Sequence, residues 1–226
     1  MSNYREKIIQ LRKDKKISEY SIANKLGISR MAYRKFEQGN KDLTLPQINT
    51  AAKFLKTRPE EIIFTDIQEN MNKYTQMIFA FLREIGGDGK IPKTKLAKLL
   101  YLADFVFYYE NHASMSGMAY RKIKHGPVPD EYFVLLGHLS DEGFVVIEPK
   151  NKALLVSETR AGERISDDML SKKEESLIKK IAKRWKGKST QEIVNFTHNQ
   201  FPYMHANNKE IVSYDLILQE DPEYVF

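Results

Sequence analysis

Apolar residues recur at helical spacing from the start of the chain. Tyr4, Ile8 and Leu11 stand four and three residues apart, which places them on one face of a helix. Ser18 is a good N-cap for a second helix with Ile22, Ala23 and Leu26 on its inner face. Gly27 ends that helix, because glycine enters the left-handed region without a steric penalty. Ile28 fills the turn, Ser29 caps a third helix from Arg30 to about Gln38, and Gly39 ends it. Thr44 caps a fourth, with Pro46 in its first turn and Ile48, Ala51, Ala52 and Leu55 facing inward. Pro59 opens a short fifth helix that ends near Phe64.

The pattern then changes. Residues 65–72 are polar and read as a short linker or a helix entry. From Tyr74 a new helix carries Met77, Ile78, Phe81, Leu82 and Ile85 on one face, and Gly86, Gly87, Asp88 and Gly89 stop it. Residues 93–111 are apolar nearly all round, the mark of a helix central to a core. Residues 118–126 alternate and fit a short strand or an extended loop, and the segment Gly126 to Pro129 breaks the chain before another helix. Residues 143–149 and 153–158 read as a β-hairpin. Ser171 with Glu174, and Ser189 with Glu192, are capping boxes for two late helices. The fold class is therefore mainly α. A five-helix domain over residues 1–66 precedes a mostly helical α+β domain over 73–226 with a small β-hairpin.

Charge divides the chain at the same place. Residues 1–65 hold 14 Lys/Arg and 7 Asp/Glu, while residues 66–226 hold 22 and 23, so the net charge of +6 sits in the first third. A basic third beside a neutral remainder suits a phosphate-binding module joined to a different kind of domain. The chain has no cysteine, which removes disulfides and thiolate chemistry and fits a reducing cytoplasm. No apolar run is long enough for a membrane span, and the first residues lack the apolar core of a signal peptide.

The second and third helices with their glycine turn form a helix-turn-helix, whose later helix lies in the major groove. Residues 17–55, ISEYSIANKLGISRMAYRKFEQGNKDLTLPQINTAAKFL, resemble the Xre/Cro-type repressor family. The resemblance assigns base-reading positions to Arg30, Met31 and Lys35, with Arg34 close by. Arginine and lysine can donate to guanine O6 and N7, and methionine can touch a thymine methyl. Asn40 and Lys41 match phosphate-contact positions, and Arg12 and Glu37 match a partly buried ion pair. The second helix of such domains usually opens with a glutamine that reaches a phosphate. Here that position is Glu19, which implies a lost contact or a shifted docking. Domains of this kind bind operator DNA as homodimers on half-sites one helical turn apart.

The run KLAKLLYLADF, followed by YRKIKHGPVPDEY, resembles the Panacea domain over roughly residues 73–220. The resemblance implies an antitoxin that binds and neutralises a protein toxin encoded beside it, and that represses its own operon. Candidate toxin-facing residues are Tyr101, Tyr108, Tyr120, Lys124 and His125. Tyrosines favour interface hot spots, but for those of the apolar helix, Tyr109 among them, core packing is the favoured reading because that helix is apolar on both sides.

Other chemistry finds little support. The metalloprotease, hydrolase-elbow and P-loop motifs are absent, so no catalysis is expected. The five histidines lack ligand spacing, so neither metal nor cofactor is expected. The lysines of KKIAKRWKGK flank an apolar stripe of Ile178, Ile181, Ala182 and Trp185 and read as a solvated face. The alternative to an antitoxin is a ligand-responsive repressor, whose mark would be an apolar pocket with convergent polar groups in the second domain.

Overall fold

The structure is a computed structural model that describes residues 4–57, 59, 62, 65–85, 89–151 and 153–226. The chain divides into two compact units, Met1–Glu69 and Asn70–Phe226, each with its own apolar core.

In the first unit, α1 spans Tyr4–Asp14, α2 Glu19–Lys25, α3 Arg30–Glu37 and α4 Leu45–Phe54. The starts of α2, α3 and α4 are each set by a side chain. The Ser18 hydroxyl accepts from the Ser21 amide at 3.1 Å, and the Ser29 hydroxyl accepts from the Ala32 amide at 3.1 Å. Thr44 and Gln47 close a reciprocal capping box over α4. Gly27 sits at φ +67°, and the Ile28 amide returns to the Ala23 carbonyl at 3.1 Å, so α2 ends in a tight left-handed cap. Ile8, Ile22, Tyr33, Phe36, Ala51 and Leu55 form the fully buried centre. The expected fifth helix over 59–64 falls largely outside the described residues.

The second unit draws on α5, which spans Thr65–Ile85 and is helical from nine residues before the apolar pattern begins at Tyr74. Residues 65–72 are thus helix entry rather than linker. They contain no glycine or proline, so nothing local stops the helix extending backwards. Next come β1 (Lys90–Pro92), α6 (Lys93–Asn111), β2 (Tyr120–Arg121) and β3 (Val128–Pro129). α7 (Glu131–Asp141), β4 (Val145–Lys150) and β5 (Ala153–Glu158) follow, then α8 (Lys172–Trp185), α9 (Thr190–His198) and α10 (Phe201–His205).

The hairpin β4–β5 gains β1 as a third antiparallel strand, in the order β1-β5-β4, with Ile91 opposite Val156. β2 and β3 pair separately, Tyr120 opposite Pro129, so Val128 and Pro129 continue a strand beyond the Gly126 turn. At the centre, α6 buries every residue from Lys95 to Val106. The same core takes in Tyr74, Phe79 and Phe81 of α5 and Ile178 and Ile181 of α8. The capping boxes of α8 and α9 are both closed.

Candidate nucleic-acid interface

The capped start of α3 fixes which side chains leave the domain. Tyr33 and Phe36 point into the core, while Arg30, Met31, Arg34 and Lys35 are exposed along the outer face. Met31, a large apolar side chain, is 63% exposed with no fold-level reason to be there. Asn40 and Lys41 follow in the exposed loop, with the Asn40 amide bonded to the Lys35 carbonyl at 2.8 Å. Arg12 Nη2 lies 2.8 Å from Glu37 Oε1, and Arg12 Nη1 donates to the Ile17 carbonyl at 3.0 Å. That ion pair ties α1 to α3 and to the start of the α2 segment. It leaves Glu37 turned away from the exposed face.

Glu19 carries the unforeseen contact. Its Oε2 accepts from Arg30 Nε at 3.0 Å and from Arg34 Nε at 2.8 Å. The two guanidinium groups, Arg34 first, hold the Glu19 carboxyl below its ordinary range. A lost phosphate contact is thus only half of the story, since the acid has two partners on the recognition helix itself. The signal was in the sequence: an acid in the first turn of α2, and two arginines at i and i+4 on α3.

In the second unit, polar groups sit inside α6. Asp104 is fully buried and accepts from the Ser116 amide at 2.6 Å, the Ser116 hydroxyl at 2.5 Å and the Tyr120 hydroxyl at 2.7 Å. Burial pushes its pKa up to about 6, against the pull of those bonds. Lys95 donates to the carbonyls of Trp185 and Lys188. Lys98, 1% exposed, donates to the Pro127 carbonyl at 2.7 Å, and desolvation lowers its pKa to about 7. These three had a sequence signature, because charges inside a helix that is apolar all round must be buried with it.

Two of the candidate toxin-facing residues are corrected. Tyr101 and Tyr120 are fully buried and cannot meet a partner. The Tyr101 ring packs tilted against Phe105, centroids 4.2 Å apart, and the Tyr120 hydroxyl is spent on Asp104. Tyr108 is half-buried and bonded to Asp215. Lys124 and His125 are exposed. His125 also borders a cavity of about 370 Å³, with Thr94, Lys98, Ile123, Val128 and Phe133 among its walls.

Residues 8–62 match the family model for a helix-turn-helix, and residues 96–202 match the model described as Antitoxin SocA-like, Panacea domain. The chain joins a helix-turn-helix domain to a Panacea domain. No curated protein and no solved structure gives a match. In the Panacea domain, the matched span opens at Leu96 in α6 and closes at Pro202 in α10. It therefore includes Lys98, Asp104 and the Gly126 turn. The pairing suits a DNA-binding regulator or antitoxin. No described helix is long and apolar enough to cross a membrane.

Proposed function

We propose that the protein is the antitoxin of a toxin–antitoxin pair. Its Panacea domain neutralises a protein toxin encoded nearby by direct binding, and its helix-turn-helix represses the shared operon as a dimer on DNA in the cytoplasm. It acts by binding and not by catalysis. One observation carries this reading: a helix-turn-helix whose third helix exposes Arg30, Met31, Arg34 and Lys35 lies in one chain with an antitoxin-like domain. The test is co-expression with the product of the adjacent gene. Residues 70–226 and the full chain are expected to restore growth, and residues 1–68 are not. Failure of the full chain to rescue any adjacent toxic gene product would sink the reading.

The cavity beside His125 favours a second reading. Its walls combine apolar Ile123, Val128 and Phe133 with Thr94, Lys98 and His125, a combination suited to a small ligand. On this reading the Panacea domain senses a metabolite and adjusts DNA binding. A metabolite that releases the protein from its promoter DNA would favour it, and tight capture of the adjacent gene product without any such ligand would count against it.

A further inference from the structure

The double contact of Glu19 has a chemical consequence, and it rests on the reading of α3 as the DNA-reading helix. A guanine is recognised by two donors on one guanidinium, aimed at O6 and N7. An arginine has five N–H donors in a rigid plane, one on Nε and four on the two terminal nitrogens. Glu19 Oε2 takes the Nε donor from both Arg30 and Arg34. Among the described residues, the terminal nitrogens of both arginines carry no other hydrogen bond. The carboxylate thus occupies the edge that a guanine does not need. It leaves the two-pronged edge outward, on side chains that are 53% and 46% exposed.

Position supports the same role. Glu19 is the first residue of α2, and its predecessor Ser18 is fixed by its cap, so the carboxylate stands on a rigid element. Arg30 is the first residue of α3 and Arg34 lies one turn on, which puts both on one face. A free arginine loses rotamer entropy when it is immobilised on a base. One acid that holds two arginines before DNA arrives removes part of that loss twice.

We propose that Glu19 is a positioning residue for sequence readout, orienting Arg30 and Arg34 so that each reads a guanine. The arginines are separated by about 6 Å along the helix, against about 3.4 Å per base step. The two guanines therefore lie one or two base pairs apart in each half-site. Glu19 also keeps these arginines off phosphates, so it trades general affinity for discrimination.

The experiment selects binding sites for the full-length protein from a random duplex library, then measures affinity for the selected site and for a scrambled duplex. The wild type is expected to enrich two guanines at that spacing. Glu19→Ala is expected to lose preference at those two positions by about five- to hundredfold. Its binding to the scrambled duplex should tighten, with a salt slope steeper by about 1. Glu19→Gln, which keeps an oxygen acceptor without the charge, should fall between. In an Arg30→Ala/Arg34→Ala background, Glu19→Ala should change base preference no further. The thermal midpoint should not move, because exposed ion pairs contribute little to stability, and a purely structural role would move it instead. Unaltered guanine preference in Glu19→Ala, with the wild-type motif present, overturns the role of Glu19 alone. A wild type that enriches no motif overturns the DNA-reading assignment of α3 and this inference with it.

Discussion

Arg12 and Glu37 meet at 2.8 Å with 12% and 18% of their side chains exposed, so α1 and α3 are joined by a charge pair largely out of water. Removing one partner strands the other. Arg12→Ala leaves the Glu37 carboxylate without its cation and the Ile17 carbonyl without its donor. Glu37→Ala leaves a desolvated guanidinium. Each is expected to destabilise the first domain by about 1–3 kcal/mol. The pair Arg12→Met/Glu37→Leu is expected to cost less than either single change, since apolar residues of similar size need no partner. Urea denaturation followed by far-ultraviolet circular dichroism checks this. A double variant as weak as the sum of the single losses would show that the two residues act independently.

On the proposed function, the exposed face of α3 carries base readers and the loop after it carries phosphate holders. Arg30→Ala and Lys35→Ala are each expected to weaken specific DNA binding by about 1–3 kcal/mol, with little change on scrambled DNA. Lys41→Ala should weaken binding to both sequences alike and reduce the salt slope by about 1. Titrations on both duplexes at several salt concentrations distinguish the two classes. If the Arg30→Ala/Lys35→Ala double variant binds the selected site as the wild type does, α3 is not the reading helix.

Asp104 gives the second domain a pH dependence of definite sign. Its pKa rises from 3.8 to about 6 on folding, chiefly through desolvation. Between those values the folded chain binds more protons than the unfolded one, so stability falls as pH rises from about 4 to 6 and then levels. The loss is of the order of 2–3 kcal/mol. Trp185 is the only tryptophan and is buried in this domain, so its fluorescence follows the domain during denaturation. Asp104→Asn should flatten this window, because the amide does not titrate while the hydroxyls of Ser116 and Tyr120 can turn to accept from it. Asp104→Ala leaves three donors unmet and should cost more at every pH. An Asp104→Asn variant with the wild-type pH profile would remove Asp104 as its cause.

Local signals were legible in the sequence wherever one residue settles the backbone. The caps at Ser18, Ser29, Thr44, Ser171 and Ser189 stand where serine or threonine precedes an apolar period, and Gly27 marks a positive φ. What escaped depends on distant partners. β1 is three residues long, too short for an alternating pattern, and exists because Ile91 finds Val156 across the sheet. Tyr120 looked like a surface anchor because tyrosine suits interfaces, and only its bond to Asp104 makes it interior, whereas the apolar helix had already favoured the core for Tyr101. Glu19 was read against an absent phosphate, whereas its partners lie 11 and 15 residues on, across the turn.

Lys98 is the counterpart of Asp104, with a different window. Its ammonium is buried with one acceptor, the Pro127 carbonyl, and no acid pairs with it among the described residues. Gly126 closes over it at φ +99°, where an added Cβ would lie 2.7 Å from Lys98 Nζ. Desolvation lowers the Lys98 pKa from 10.5 to about 7. Above about pH 7 the unfolded chain therefore holds a proton that the folded chain has released, and stability rises with pH up to about 10. The rise is of the order of 4–5 kcal/mol. His198, which touches the same turn, is itself pushed below its ordinary value of 6.5 and so titrates beneath this window. Lys98→Met fills the same space without a charge, at the cost of the bond to Pro127. It should abolish the rise, so that its stability relative to the wild type is highest near pH 6.5 and declines steadily towards pH 9.5. Denaturation followed through Trp185 at several pH values tests this. A constant difference between the two proteins across that range would mean that Lys98 keeps its proton on folding, and that the carbonyl of Pro127 alone is enough to hold a buried ammonium.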